Sequence, residues 1–154
     1  MSARIVESIA EIAAPAWDTL VAGASPDPED INPFLSHAFL LALQESGCAT
    51  QATGWETRFL VLERDGLLVG ALPLYGKTHS WGEFVFDWAW ADAYQRHGLA
   101  YYPKWISAVP FSPVTGPRLL AASPENRARL LDAALDLARE EAVSSLHLLF
   151  PDET

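Results

Sequence analysis

The sequence predicts an α/β (α+β) fold, a mixed and mostly antiparallel sheet flanked by helices. Three observations predict it. Asp65-Gly66 separates two apolar β-like runs, which is the signature of a tight antiparallel hairpin. A capped amphipathic helix opening at Ser123 precedes an apolar run at 145–150, a strand–helix–strand arrangement whose strands run parallel. Residues 81–88 alternate with period two, as a half-buried strand does. At 154 residues, half of them hydrophobic and 19% charged, the chain is one domain with material for a real core.

Taken in order, residues 4–12 alternate and read as a first strand, and a short helix follows at 15–22. The stretch 23–33 carries three prolines and a run of acids, an exposed loop. Residues 34–46 place Leu35, Phe39, Ala42 and Leu43 on one helical face, and Gly47 ends that helix. The hairpin strands are Thr57–Arg64 and Leu67–Tyr75. Phe59-Leu60-Val61-Leu62 is apolar on both faces, so its strand is covered on both sides. Pro73 has no ladder donor and marks a bulge or a sheet edge. In the run 81–88, Phe84, Phe86 and Trp88 share one face, and Glu83, Val85 and Asp87 the other. A helical piece at 89–97 stops at Gly98, and an extended segment follows from Trp105. Ser123-Pro124-Glu125 gives an N-cap, proline at the first helical position and an acid at the positive dipole end. That helix runs to about Ala142 with Leu130, Leu131, Ala134, Leu135, Leu137 and Ala138 as its buried stripe.

The net charge of −10 argues against nucleic-acid binding, since phosphate contacts need a basic surface. Its distribution says more. Residues 1–64 carry nine acids and three bases, and 119–154 seven acids and three bases, whereas 65–118 have four of each. That neutral middle holds 11 of the 17 aromatic residues, so either the core or a ligand site lies there. A lone cysteine, Cys48, forms no internal disulfide and suits a reducing, cytoplasmic setting. The first residues carry no signal-peptide pattern and no stretch is long and apolar enough for a transmembrane segment. Neither a Walker motif, a Gly-x-Gly-x-x-Gly loop nor a Gly-x-Ser-x-Gly elbow is present. His79, Glu83 and Asp87 are spaced by four, but in a strand they align only partly, so no metal is expected.

Two places carry chemistry. Glu83 and Asp87 are the candidate catalytic pair: beside aromatic walls, burial raises a carboxylate's pKa and makes it a usable base. The same two residues read equally as solvated strand-face acids. Trp88, Tyr101 and Tyr102 are the candidate apolar wall of a substrate site, with Lys104 and Arg118 as anion partners. The loop Thr115-Gly116-Pro117-Arg118 lies between an extended segment and a capped helix, where phosphate can be held. Pro113 and Pro117 remove two donors from it, and a purely structural turn is the competing reading.

The run from Gly82 to Tyr94, the run from Gly98 to Lys104, and Ala108-Val-Pro-Phe-Ser-Pro-Val-Thr-Gly-Pro-Arg-Leu-Leu resemble the FemAB-like N-acyltransferases of the GNAT fold superfamily, bacterial proteins labelled with peptidoglycan biosynthesis. Asn32-Pro-Phe-Leu-Ser-His and Leu146-His-Leu-Leu-Phe-Pro match as well, so the resemblance spans nearly the whole chain. It implies that residues 1–154 are one GNAT-like domain, the N-terminal half of a longer two-domain protein. It also implies acyl transfer to an amine of a small-molecule or cell-wall-precursor acceptor, from an acyl-CoA or acyl-tRNA donor. The partner implied is a C-terminal GNAT-like half, without which this half is expected to be inactive. Val114-Thr-Gly-Pro-Arg118 departs from the glycine-rich pyrophosphate loop of ordinary GNAT enzymes, which favours the alternative of a non-catalytic acceptor-binding or docking domain.

Overall fold

The computed structural model describes residues 1–25, 27 and 31–152. The described residues form seven strands and four α-helices in an α/β arrangement of two mostly antiparallel sheets. β1 (Ser2–Val6), β3 (Phe59–Arg64) and β4 (Leu67–Leu72) make one sheet with β3 in the centre. β2 (Glu56–Thr57), β5 (Tyr75–Lys77), β6 (Lys104–Ser107) and β7 (Leu146–Leu148) make the other, in that order. The chain crosses between sheets at Arg58 and again at Pro73-Leu74, and Arg58 N–H donates to Leu74 O at 2.9 Å across the join. Pro73 therefore falls where no ladder donor is required, as its missing N–H dictates.

The hairpin forms as expected. Asp65 and Gly66 both take positive φ, 52° and 78°, the two left-handed positions of a tight turn whose twist matches the strands. β7 runs parallel to β6, with α4 (Pro124–Glu140) as the crossover side. Ser123 Oγ accepts from Asn126 N–H at the helix start. The buried line of α4 is Asn126, Leu130, Ala134 and Ala138, spaced by four, and it packs on β3 and β4. Leu131, expected in that stripe, is exposed, while Ala133 and Leu137 pack against the core beside the buried line. Gly70 makes the approach possible: a Cβ there would stand 2.9 Å from a Leu130 methyl.

β3 is covered on both sides. Phe59 and Val61 join a core with Ile9, Trp17, Leu35, Leu40 and Ile106 beneath α1 (Ala14–Ala24) and α2 (His37–Glu45). Leu60 and Leu62 join a second core with Leu72, Trp105, Leu130 and Ala134 beneath α4. Each fully buried side chain of this kind contributes about 1.5–3 kcal/mol.

Several expectations need correction. The first strand ends at Val6, because Ser8 and Glu11 close a capping box around a 3-10 turn at Ile9–Glu11. The helix expected over 34–46 is split: a 3-10 turn at Pro33–Leu35 comes first, and Ser36 then caps α2. Its buried residues are His37 and Leu40, whereas Ala42 is exposed. His37 Nε2 lies 2.9 Å from both Ile9 O and Ile12 O, a satisfied buried histidine. The loop expected over 23–33 lies partly outside the described residues. The largest correction concerns 81–88, which forms no strand.

Candidate functional site

Residues 81–87 are a looped segment leading into α3 (Trp88–Arg96). Gly82 takes φ 81°, and a Cβ there would meet the Phe111 ring at 2.6 Å, so only glycine fits the turn. Phe84 also takes a positive φ, 58°, a strained conformation for a bulky residue that costs on the order of 1 kcal/mol. The period-two alternation survives without the strand, but with its polarity inverted. Glu83 and Asp87 are buried, while Phe84 and Phe86 are 51% and 77% exposed.

The reason lies across the fold. β5 and β6 pair antiparallel with Lys77 directly opposite Lys104, and both lysines are fully buried. Like charges facing each other in a ladder repel, and here they are out of water as well. The looped segment supplies the counter-charges. Lys104 Nζ donates to Glu83 Oε2 at 2.7 Å, to Asp87 Oδ2 at 2.5 Å and to Ser80 Oγ at 3.1 Å, which uses all three of its N–H groups. Tyr101 OH donates to Asp87 Oδ2 at 2.5 Å. Ser80 Oγ and Tyr102 OH share a hydrogen bond of 2.7 Å. Lys77 Nζ donates to Trp81 O at 3.1 Å and sits 3.7 Å over the Trp55 ring, a cation–π contact. Asp87 occupies the N-cap position of α3 but does not cap it, since its carboxylate turns inward to Lys104.

These surroundings set the charges apart. Burial pushes the Glu83 carboxyl above its ordinary range, outweighing the hydrogen bond and charge of Lys104. Burial acts the same way on Asp87, but hydrogen bonds from Lys104, Ser80 and Tyr101 overcome it and hold that carboxyl low. Burial lowers Lys77 to about 8, with Glu83 opposing and Lys104 assisting. Burial and the bond to Asp87 raise the Tyr101 hydroxyl. Glu83 Oε1 and Asp87 Oδ1 are buried with no hydrogen-bond partner. Such a pair, one carboxylate eager for a proton and one held ionised, has the make-up of an acid–base centre.

A cavity of about 570 Å³ opens directly outside this cluster, lined by Ser80, Trp81, Trp88, Asp92, Tyr101 and Tyr102 among others. Of the residues singled out in the sequence, the structure thus brings Glu83, Asp87, Tyr101, Tyr102 and Lys104 into one hydrogen-bonded cluster, with Trp88 on the same cavity wall. Thr115, Gly116 and Arg118 are elsewhere. Thr115 and Gly116 border a separate depression of about 360 Å³ with Asn32 and Phe34. Leu120 pairs with Ala71 between that loop and α4, so the loop is not at the helix N-terminus. Arg118 is buried, and its guanidinium donates to the carbonyls of Leu149, Gly116, Pro117 and Val114. Its place is that of a brace between the loop and the strand end at Leu149. Lys77 and Ser80 escaped the sequence reading. Neither carries a local signal: a lysine at the end of a short strand reads as solvent-facing, and nothing marks the serine.

Among the described residues, no group of three or more His, Cys, Asp or Glu side chains is arranged to hold a metal ion. No helix among them is long and apolar enough to cross a membrane. A family model described as FemAB-like, peptidoglycan biosynthesis/recognition, matches residues 8–154. No curated protein and no solved structure matches the chain.

Proposed function

The chain belongs to the FemAB-like family of peptidoglycan biosynthesis and recognition, and on that footing we propose that it is the acceptor-side, GNAT-like half of a cytoplasmic N-acyltransferase. In this reading the aromatic cavity holds an amine-bearing acceptor, a small molecule or a cell-wall precursor. A second GNAT-like half contributes to the donor site, and the donor is an acyl-CoA or an acyl-tRNA. The observation that carries the reading is the buried Glu83–Lys104–Asp87 cluster immediately behind the cavity wall.

The chemistry follows from the residues. Trp81, Trp88 and Tyr101 offer flat faces that exclude water from one side of the acceptor. The amine must be neutral to attack an acyl carbon, and Glu83, with its raised proton affinity, is the group that takes the proton. Asp87, held ionised, orients Lys104 and Tyr101. Mass spectrometry of amine acceptors incubated with the full-length protein and either donor class tests the proposal. Glu83→Gln should lower kcat by about 10²–10⁴ with a small change in KM. An unchanged kcat in that variant sinks the assignment.

A second reading has its own support. All three Lys104 donors and four of the five of Arg118 are spent inside the protein. Neither is then free to hold an anionic donor, which suits a domain that binds acceptor without transferring to it. Saturable acceptor binding by the full-length protein, with no acylated product from any donor, would favour that reading.

A further inference from the structure

Glu83 is 2% exposed and cannot touch a molecule in the cavity, yet the cavity wall is joined to it by an unbroken file of hydrogen bonds. Tyr102 is half-buried and lines the cavity. Its hydroxyl meets Ser80 Oγ at 2.7 Å, Ser80 Oγ meets Lys104 Nζ at 3.1 Å, and Lys104 Nζ meets Glu83 Oε2 at 2.7 Å. Tyr102 and Ser80 each carry an exchangeable hydrogen and lone pairs, Glu83 carries lone pairs, Lys104 gains one on giving a proton to Glu83, and every separation is within hydrogen-bond reach. We propose that Tyr102, Ser80 and Lys104 form a proton relay connecting the cavity to Glu83, with the Tyr102 hydroxyl as the group that meets the ligand.

The inference rests on the acid–base role given to Glu83 above, but its geometry does not depend on which ligand fills the cavity. In the transfer direction, the acceptor N–H proton goes to the Tyr102 oxygen as Tyr102 passes its own to Ser80 Oγ. Lys104 first surrenders a proton to Glu83 Oε2, turns its freed lone pair toward Ser80 about the Cε–Nζ bond, and takes the Ser80 proton in its place. The amine has lost one proton, Glu83 has gained one, and Tyr102, Ser80 and Lys104 end with the hydrogens they began with. The electron pair freed on nitrogen forms the new bond to the acyl carbon. The carbon's bond to the donor sulfur or ribose oxygen breaks with its electron pair going to that atom, and the departing group takes a proton from water.

Glu83 is the natural terminus. Asp87 Oδ2 already accepts from both Lys104 and Tyr101, whereas among the described residues Glu83 accepts only from Lys104 and its second oxygen has no hydrogen-bond partner. The other charged groups facing the file are Lys77 across the ladder and His147 on β7, both with proton affinities lowered first by burial. Lys77 repels an arriving proton, and its own readiness to lose one limits that cost.

The test is kinetic and needs no substrate. In the full chain labelled with ¹³C at glutamate and aspartate carboxyls, the Glu83 resonance is followed through an acid titration. Proton exchange should be fast in the native protein, giving one averaged line that moves. Tyr102→Phe keeps the ring packed on Tyr101 and removes only the hydroxyl. It should leave the midpoint in place and slow exchange at least tenfold, so that the line broadens or splits near the midpoint. Ser80→Ala should do the same, and Ser80→Thr, which restores a hydroxyl, should exchange like the native protein. An averaged line in either Tyr102→Phe or Ser80→Ala overturns the relay. Should one of them fail to fold, the other decides. Loss of transferase activity in Glu83→Gln with unchanged exchange in these variants would leave the catalytic reading standing and remove the relay.

Discussion

At the residue scale, the fold keeps two carboxylates, Glu83 and Asp87, out of water beside two facing lysines, and each is kept by its neighbours. Removing the positive charge of Lys104 alone would strand two buried carboxylates, a loss of about 3–5 kcal/mol for a buried pair broken on one side. Lys77 has the opposite character. Its single hydrogen bond goes to Trp81 O, and burial lowers it to about 8 from 10.5. An unfolded chain holds that lysine's proton up to about pH 10.5, while the folded chain releases it near pH 8. Between these values the unfolded state binds more protons, so stability rises with pH. Tyr75 and Tyr101, raised chiefly by burial, push the other way once the pH passes 10. Urea denaturation from pH 8 to 10 should therefore show stability increasing in the native protein by up to about 2–3 kcal/mol, and no such rise in Lys77→Met. A flat native profile would show that Lys77 keeps its proton. The acids and aromatics of this site were legible in the sequence because they crowd one neutral segment. Lys77 was not, because a lysine inside a strand reads as solvent-facing unless the residue opposite it in the ladder is known.

At the scale of elements, α3 stands apart from the other helices. α4 sends a line of four residues into the core, and α1 buries Trp17, Leu20, Val21 and Ala24. None of the nine residues of α3 is buried. It is tied at its start through Asp87 to Lys104 and at its end by Tyr94 against Tyr101, with ring centroids 5.2 Å apart. Trp88 adds ring contacts with Trp81 and Phe86, themselves exposed, and a helix held at its ends with little apolar area behind it opens at small free-energy cost. Amides of Asp92–Arg96 should exchange with deuterium at least about a hundredfold faster than those around Leu130 and Ala134 in α4. Equal protection in the two helices would mean that α3 is anchored by contacts beyond those two ties. The helix itself was readable from 89–97, and so were the hairpin and the capped α4, because local turn and cap chemistry decides them. The segment before α3 was misread because a period of two reports which side chains point the same way, not what lies on that side. Two buried lysines made the polar side the inner one, and no property of residues 81–88 alone announces that.

At the scale of the molecule, the neutral and aromatic middle of the sequence divides into two populations. Trp105 joins Trp17 and Trp55 in the interior, at 0–2% exposure, while Trp81 and Trp88 line the cavity at 65% and 50% exposure and Trp90 is 66% exposed. Composition predicted a core or a site in this stretch, and the fold puts part of it in the core and part around a cavity, because the switch between sheets at Pro73-Leu74 sends β5 and β6 inward and leaves the 81–102 connection beside the cavity. The pairing of β1 with β3 and of β6 with β7 needed contacts far apart in sequence, so it was open only to the strand–helix–strand rule and not to local pattern. Exposed indole rings at one edge of an otherwise acidic molecule should respond together to a solvent quencher. Acrylamide should quench about half of the native tryptophan emission readily and leave a blue-shifted remainder, three indoles in each group by their burial. Trp81→Phe with Trp88→Phe should remove most of the accessible fraction and leave the protected one intact. A single homogeneous quenching population would place the three outer indoles in a covered surface, and the cavity beside them would then be closed to any acceptor.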